Sequence, residues 1–383
     1  MSNIDERNEF EDIRPYTDEE TSAGLARIAS HPMVYAVSKY LFPREPINTL
    51  SKMLRQIQGV EDFQKTIMST AVEWVLQNSV SEFTCDGIEN LRGIEKNFLA
   101  MSNHRDIVLD PAFTQYVLFK NGLPLTQIAV GDNLLANDTV EVLLRANGMI
   151  KVVRGISARE LYLSSLTLSR YIRQTVTSGT GSVWIAQRQG RTKDGNDTTE
   201  QGLLKMCDMS GEGTFVENFA ALHIVPMSIS YEYEPCDFRK AREVLISRTQ
   251  KYVKKPDEDM HSILTGIRQQ KGRVHLQIGT PLTLAEIEAA SHCGGNDRYQ
   301  FIRRAVDLRV IEGYKLFKTN YMGYDLMNGT AKYADRYTPE DLEAFKAYTE
   351  HKLGKLERRL DKDACRDIFW HIYGNPVAAK ENL

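Results

Sequence analysis

The sequence predicts an α/β fold, a central mixed sheet flanked by helices, with an N-terminal helical domain and a helical C-terminal tail. Three observations predict it. Apolar positions recur at helical spacing up to residue 78, and short strand-like runs alternate with helical segments over residues 79–282. Residues 283–383 are again helical and charged. The chain has 383 residues, 42% hydrophobic and 26% charged, an ordinary globular balance with enough apolar material for a sizeable core. The divisions expected are therefore 1–78, 79–282 and 283–383.

Taken in order, the first fifteen or so residues are polar and expected to be loose. From Asp18 to Gln77 the pattern is helical, interrupted at Pro32, at Pro43 and Pro46, and at Gly59. Leu50, Met53, Leu54 and Ile57, then Phe63, Ile67, Trp74 and Val75, fall at helical spacing. Strands are predicted at Ser81–Thr84, Asn97–Met101, Thr126–Val130, Met149–Val153, Ser182–Ala186, His223–Tyr231 and Arg273–Ile278. Between them lie predicted helices at Pro111–Lys120, Asp138–Asn147, Ser157–Ser178 and Thr199–Met209. In the third of these, Leu161, Leu168, Ile172 and Val176 mark one apolar stripe. Gly279, Thr280 and Pro281 end the sheet region, and helices follow at Arg298–Lys318 and Pro339–Arg359.

Composition excludes several classes. With 48 Lys+Arg against 51 Asp+Glu, the net charge of −3 gives no electrostatic case for nucleic acid as a partner. Cys85, Cys207, Cys236, Cys293 and Cys365 are scattered without a CxxC spacing, which argues against a disulfide framework and fits a reducing compartment. The histidines form no HxxxH or HExxH pair, and no metal is expected. His223 and His275 are expected to be buried in apolar strands. The acidic N-terminus lacks the features of a signal peptide, and no apolar run approaches a membrane span. A cytoplasmic protein is expected, working on any lipid from the membrane surface, at the inner face of the plasma membrane. His31–Phe42 is apolar enough for an interfacial helix, though packing in the helical cap explains it better.

The most informative stretch runs from Met101 to Pro111, MSNHRDIVLDP, between a predicted strand and a predicted helix. His104 is suited to take a proton from a hydroxyl at neutral pH, and a carboxylate a few residues on can hold its ring and balance the imidazolium. The nucleophile would be a hydroxyl of the substrate. Read for structure alone, Asp110 before Pro111 is a helix N-cap followed by Pro at N1. Gly148 opens a strand that ends at Arg154. A second strand runs from Trp184 into a loop carrying Arg188, Gln189, Gly190, Arg191 and Lys193, suited to an anion through its glycine and guanidinium groups. Val225 and Pro226 mark a fourth block.

In this order and at these distances the four blocks, over residues 80–282, resemble the glycerol-phosphate and lysophosphatidate acyltransferase superfamily. The N-terminal helices and the Ile-Ala-(x)3-Gly-Arg form of the third block also resemble the soluble plastid-type glycerol-3-phosphate acyltransferases. The resemblance implies His104 as the base and Asp110 as its partner. It implies Asn103, Gly148, Arg154, Arg188, Gln189, Gly190 and Arg191 as substrate-binding residues, with Arg154 and Arg191, joined by Arg188 or Lys193, on the acceptor phosphate, and Val225 and Pro226 lining the acyl or thioester side. It implies no cofactor, with acyl-CoA or acyl carrier protein as the donor substrate and a phosphorylated glycerol as acceptor. Two departures stand out. Five residues separate His104 from Asp110 where the family has four, which leaves Asp106 as an alternative partner, and Gln189 stands where bacterial motifs have glutamate. The rivals are another lysolipid or alcohol acceptor, and a lipid- or phosphate-binding homologue with impaired catalysis.

Overall fold

The computed structural model describes residues 9–94, 96–135, 137–153 and 157–383. Its first helices are α1 (Asp18–Ile28), α2 (Pro32–Leu41), α3 (Thr49–Leu54), α4 (Val60–Phe63) and α5 (Ser69–Ser79), the last two joined by a π-helical turn at Gln64–Met68. A capping box at Thr17 and Glu20 starts α1, and Pro32 at the first turn starts α2. The inward face of α2 buries Val34, Ser38 and Leu41, and Val34 packs in the same core as Leu25, Leu50, Leu54 and Phe63. Of the leading segment expected to be loose, residues 1–8 lie outside the described residues, and residues 9–15 are packed more closely than their polarity predicts. Phe10 and Ile13 are buried, and Phe10 meets the Tyr171 ring edge-on.

The sheet begins with β1 (Val80–Asp86), α6 (Glu89–Arg92), β2 (Leu99–Ser102), α7 (Leu109–Lys120) and β3 (Thr126–Gly131). It continues through α8 (Asp138–Ala146), β4 (Met149–Val152), α9 (Ala158–Thr177), β5 (Ser182–Ala186), α10 (Gln201–Met209) and α11 (Phe215–Ala220). It closes with β6 (Val225–Tyr231), α12 (Asp237–Ser247), α13 (Glu258–Arg268) and β7 (Gly272–Ile278). Helices α14 (Leu284–Ser291), α15 (Asp297–Glu312), α16 (Lys318–Asn328), α17 (Pro339–Leu353) and α18 (Lys362–Glu381) complete the chain.

The strand order is β1-β7-β6-β2-β5-β3-β4, with every neighbouring pair parallel except β6 and β7. The sheet is therefore mixed, as the sequence predicts. Its central strands are buried on both faces, so residue parity decides which core each side chain enters. Leu99, Met101, Val183 and Ile185 point to the layer built from α9, α10, α11, α14 and α15. Ala100, Trp184, Val225, Met227, Ile229 and Tyr231 point to the opposite layer, made by α5 and α7. Helices α16 to α18 gather around α12 in a further cluster that includes Ala241, Phe345, Phe369 and Tyr373.

The chain departs from expectation in three places. His223 lies in the turn before β6 with φ +43°, not in the strand, and is only half-buried. Burial, then Lys96, lowers its pKa. His275 is buried in β7 as predicted, bonded to Thr84 Oγ1 at 2.8 Å. In α9, Leu168, Ile172 and Val176 enter the core, whereas Leu161 lies on the exposed first turns. In the tail the Arg298–Lys318 helix divides, because Gly313 ends α15 and a new helix begins at Lys318. Among the described residues, no helix is long and apolar enough to cross a membrane.

Candidate active site

Parallel strands β2, β5, β3 and β6 all run the same way, so the loops at their carboxyl ends gather at one edge of the sheet. His104 leaves β2 there. Its Nδ1 lies 2.9 Å from Asp110 Oδ2. Asp110 is not the N-cap that the Asp-Pro pair predicts. Helix α7 starts at Leu109, which puts Asp110 inside the first turn. The capping oxygen is Asp106 Oδ1, which accepts the N–H groups of Val108 and Leu109 at 2.9 Å each. The fifth intervening residue is absorbed in this way, and Asp110 is released to fold back over the loop. Asp106, the alternative partner for His104, gives Oδ1 to the cap and makes no hydrogen bond to His104 among the described residues.

Asp110 is almost fully buried and held from four directions. Oδ2 accepts His104 Nδ1 together with the backbone N–H groups of Arg105 at 2.5 Å and Asp106 at 2.8 Å. Oδ1 accepts the Tyr231 hydroxyl at 2.7 Å. Burial, then the Asp110 charge, pushes the Tyr231 phenol well above its ordinary value. With Nδ1 donating to a carboxylate, the basic lone pair of His104 is on Nε2, which has no hydrogen-bond partner among the described residues. The imidazole stands edge-on to the Trp184 ring, 6.0 Å between centroids.

Beneath this pair lies a buried polar network. Asn103 is fully buried, with its side-chain N–H groups given to Asp197 at 2.8 Å and the Ile229 carbonyl at 3.1 Å. Its oxygen takes the Ile229 N–H at 2.8 Å. Its amide is thus satisfied within the protein, so it ties β2 to β6 and is a positioning residue rather than a substrate contact. Arg105 turns inward to Asp197 at 2.7 Å, and Tyr314, from the segment after α15, donates to the same carboxylate at 2.8 Å. Burial opposes the charge of Asp197, but Arg105 and the surrounding donors outweigh it and hold the carboxyl below its usual range.

The loop after β5 is stitched to the His104 loop. Gln187 N–H donates to the Ser102 carbonyl and Thr192 N–H to the His104 carbonyl, both at 2.8 Å. Gly190 has φ +74°, with open space where a Cβ would stand, and Gln189 is exposed. Arg191 is buried beside Cys236 and Asp106. Burial opposes its charge, yet those two neighbours hold the guanidinium above its ordinary value. Arg188 Nε and Arg191 Nη1 are buried without a hydrogen-bond partner among the described residues. Lys193 pairs with Glu243, and burial, then the charge of Arg191, brings its pKa down to about 8.

Three sequence-predicted positions stand apart from this edge. Gly148 closes α8 at φ +76° and lies at the start of β4, the end opposite to the His104 loop. Val225 and Pro226 pair with Ala100 and Met101 at the start of β6, buried within the sheet. Arg154 lies outside the described residues. Tyr231, Asp197 and Tyr314 are site neighbours that motif reading passes over. The signal for Tyr231 was present: it shares strand parity with Val225, and therefore the face of Trp184 and His104.

No protein-family model matches the chain. Curated relatives are dihydroxyacetone phosphate acyltransferases, from Bos taurus and Mus musculus at 26% identity and from Homo sapiens at 25%, each over 242 residues. The match covers 60% of this chain but only 34% of the relatives, so the chain spans about a third of their length. Among solved structures, the 1-acyl-sn-glycerophosphate (LPA) acyltransferase PlsC from Thermotoga maritima aligns over 76% of this chain and 94% of its own, at 15% identity and a TM-score of 0.40. The curated relatives are glycerolipid acyltransferases, in keeping with the resemblance carried by the four ordered blocks: this chain is similar to dihydroxyacetone phosphate acyltransferases.

Proposed function

We propose that the chain is an O-acyltransferase moving a fatty acyl group from acyl-CoA or acyl carrier protein to glycerol 3-phosphate or 1-acylglycerol-3-phosphate, in phospholipid synthesis. The observation that carries this reading is the His104–Asp110 pair with Nε2 of His104 left free. Nε2 takes the proton of the acceptor hydroxyl as its oxygen attacks the thioester carbonyl. The tetrahedral oxyanion collapses, the C–S bond breaks, and the imidazolium returns the proton to the leaving thiolate. Asp110 holds the ring and balances its charge, and no acyl-enzyme is needed.

The acceptor phosphate belongs on the loop after β5. Arg188 Nε and Arg191 Nη1, which have no hydrogen-bond partner among the described residues, and the open backbone at Gly190 support that assignment. Arg154 is proposed to join them, following the motif order. Peripheral contact with a membrane surface is part of the proposal, because a long-chain product partitions into a bilayer. A second acceptor, dihydroxyacetone phosphate, is favoured by the names of the curated relatives and presents the same phosphate and hydroxyl.

The test is thiol release from long-chain acyl-CoA and acyl carrier protein, with glycerol 3-phosphate, dihydroxyacetone phosphate and lysophosphatidate in turn. Acceptor-dependent release that disappears in His104→Ala, with the fold retained, supports the reading. Acceptor binding without release for every donor would replace it with the binding-homologue alternative.

A further inference from the structure

We propose that Tyr231 is a positioning residue of the acyl-transfer site, its hydroxyl setting how much of the Asp110 charge is offered to the His104 imidazolium. The inference rests on the proposed roles of His104 and Asp110.

Tyr231 is the last residue of β6, and its side chain is buried against Phe113 of α7. It donates at 2.7 Å to Asp110 Oδ1, whereas His104 and two backbone N–H groups share Oδ2. The three donors on Oδ2 all come from the His104 loop and move with it. Tyr231 alone grips the carboxylate from another strand, so it fixes the plane of the carboxyl against the sheet. It also competes with the imidazolium for the same negative charge. The phenol has no other donor role. Its neighbours are Asp110 and Asp106 on the His104 side and Glu234 beyond β6, and these acids, with burial, keep it protonated and donating. Asp106 in turn faces Arg191, Cys236 and Lys271, and these belong to the same charge environment.

Two opposite perturbations separate this role from simple packing. Tyr231→Phe removes the O–H and keeps the ring. Asp110 then offers more charge to the imidazolium, and the acid limb of the kcat/KM profile moves to higher pH. We expect kcat to fall about tenfold, the size of one hydrogen bond to a charged group, with the acceptor KM unchanged. Replacing Tyr231 by 3-fluorotyrosine makes the phenol a stronger donor, and the limb moves to lower pH with kcat largely kept. Opposite displacements of the limb support the proposal. A limb that stays in place in both variants, or moves the same way in both, overturns it and leaves Tyr231 a packing residue. His104→Ala is measured alongside. If that variant stays active the His104 reading itself has failed. If it is inactive and the limb is fixed, only the Tyr231 role has failed.

Discussion

Five residues separate His104 from Asp110, and the pair closes because a different aspartate caps the helix. Two carboxylates four positions apart thus have separate work, and substitution distinguishes them. Asp110→Asn is expected to lower kcat by about 10³–10⁴-fold, the scale seen when the carboxylate behind a catalytic histidine is neutralised. Asp106→Ala is expected to cost about 1 kcal/mol of stability for the lost cap, read by urea titration, with a far smaller loss of kcat. Lys193 gives a pH signature. It sits on the loop proposed to take the acceptor phosphate, and its ammonium is lost as pH rises through about 8, so the KM for a phosphorylated acceptor is expected to rise above that pH if Lys193 adds to that site's charge. Lys193→Arg, which stays charged, flattens the rise. How much of this was legible follows from chain distance. His104, Asp110, Arg188 and Arg191 sit in short motifs, whereas Asp197 meets Arg105 across 92 residues and Tyr314 meets Asp197 across 117, distances no local pattern spans.

At the scale of elements, the strands were legible and several helices were not. All seven strands were predicted near their true positions, because β-branched and apolar runs between glycines and prolines have few alternatives. Helices α11, α12 and α13 were passed over. Helix α11 is six residues long, and α12 and α13 follow Cys236 and Asp257, N-cap residues in left-handed conformation that make no side-chain cap. Helix α13 matters to the site: Gly266 packs on the Asp106 carboxylate, where a Cβ would stand 2.1 Å from Oδ2. Its end is fastened by Lys271, whose buried ammonium donates to Ser79 Oγ at 2.8 Å and to the Ile267 and Gln269 carbonyls. Burial lowers that ammonium to about 8. Lys271→Met should destabilise the fold by roughly 3 kcal/mol at pH 7, because three oxygens lose their donor. The folded chain sheds this proton near 8 while the unfolded chain keeps it to about 10.5, so wild-type stability gains over the variant between those values. Urea denaturation at pH 7 and at pH 9.5 checks the sign.

For the molecule as a whole, the helices after residue 282 are part of the main core. Ile287, Tyr299, Ile302, Val306 and Val310 share one apolar cluster with strands β2 and β5. Tyr314 extends that contact to the charge network under His104. A chain ended at residue 282 is therefore expected to lose cooperative thermal unfolding and near-ultraviolet dichroism, since it would expose one whole face of the sheet. Tyr314→Phe, a milder change, should lower stability by about 1–2 kcal/mol while leaving the fold intact, measured by thermal melting.

The strand order carries a further consequence, one of time. Among the described residues β1 is the first strand of the sheet to be made and has a single neighbour, β7, whose adjoining Lys271 meets Ser79 across 192 residues. At roughly 5–20 residues per second, a ribosome needs on the order of 10–40 s to deliver that neighbour. During synthesis the first strand is an open edge waiting for the last, and the yield of soluble chain will depend on what shields it in the interval.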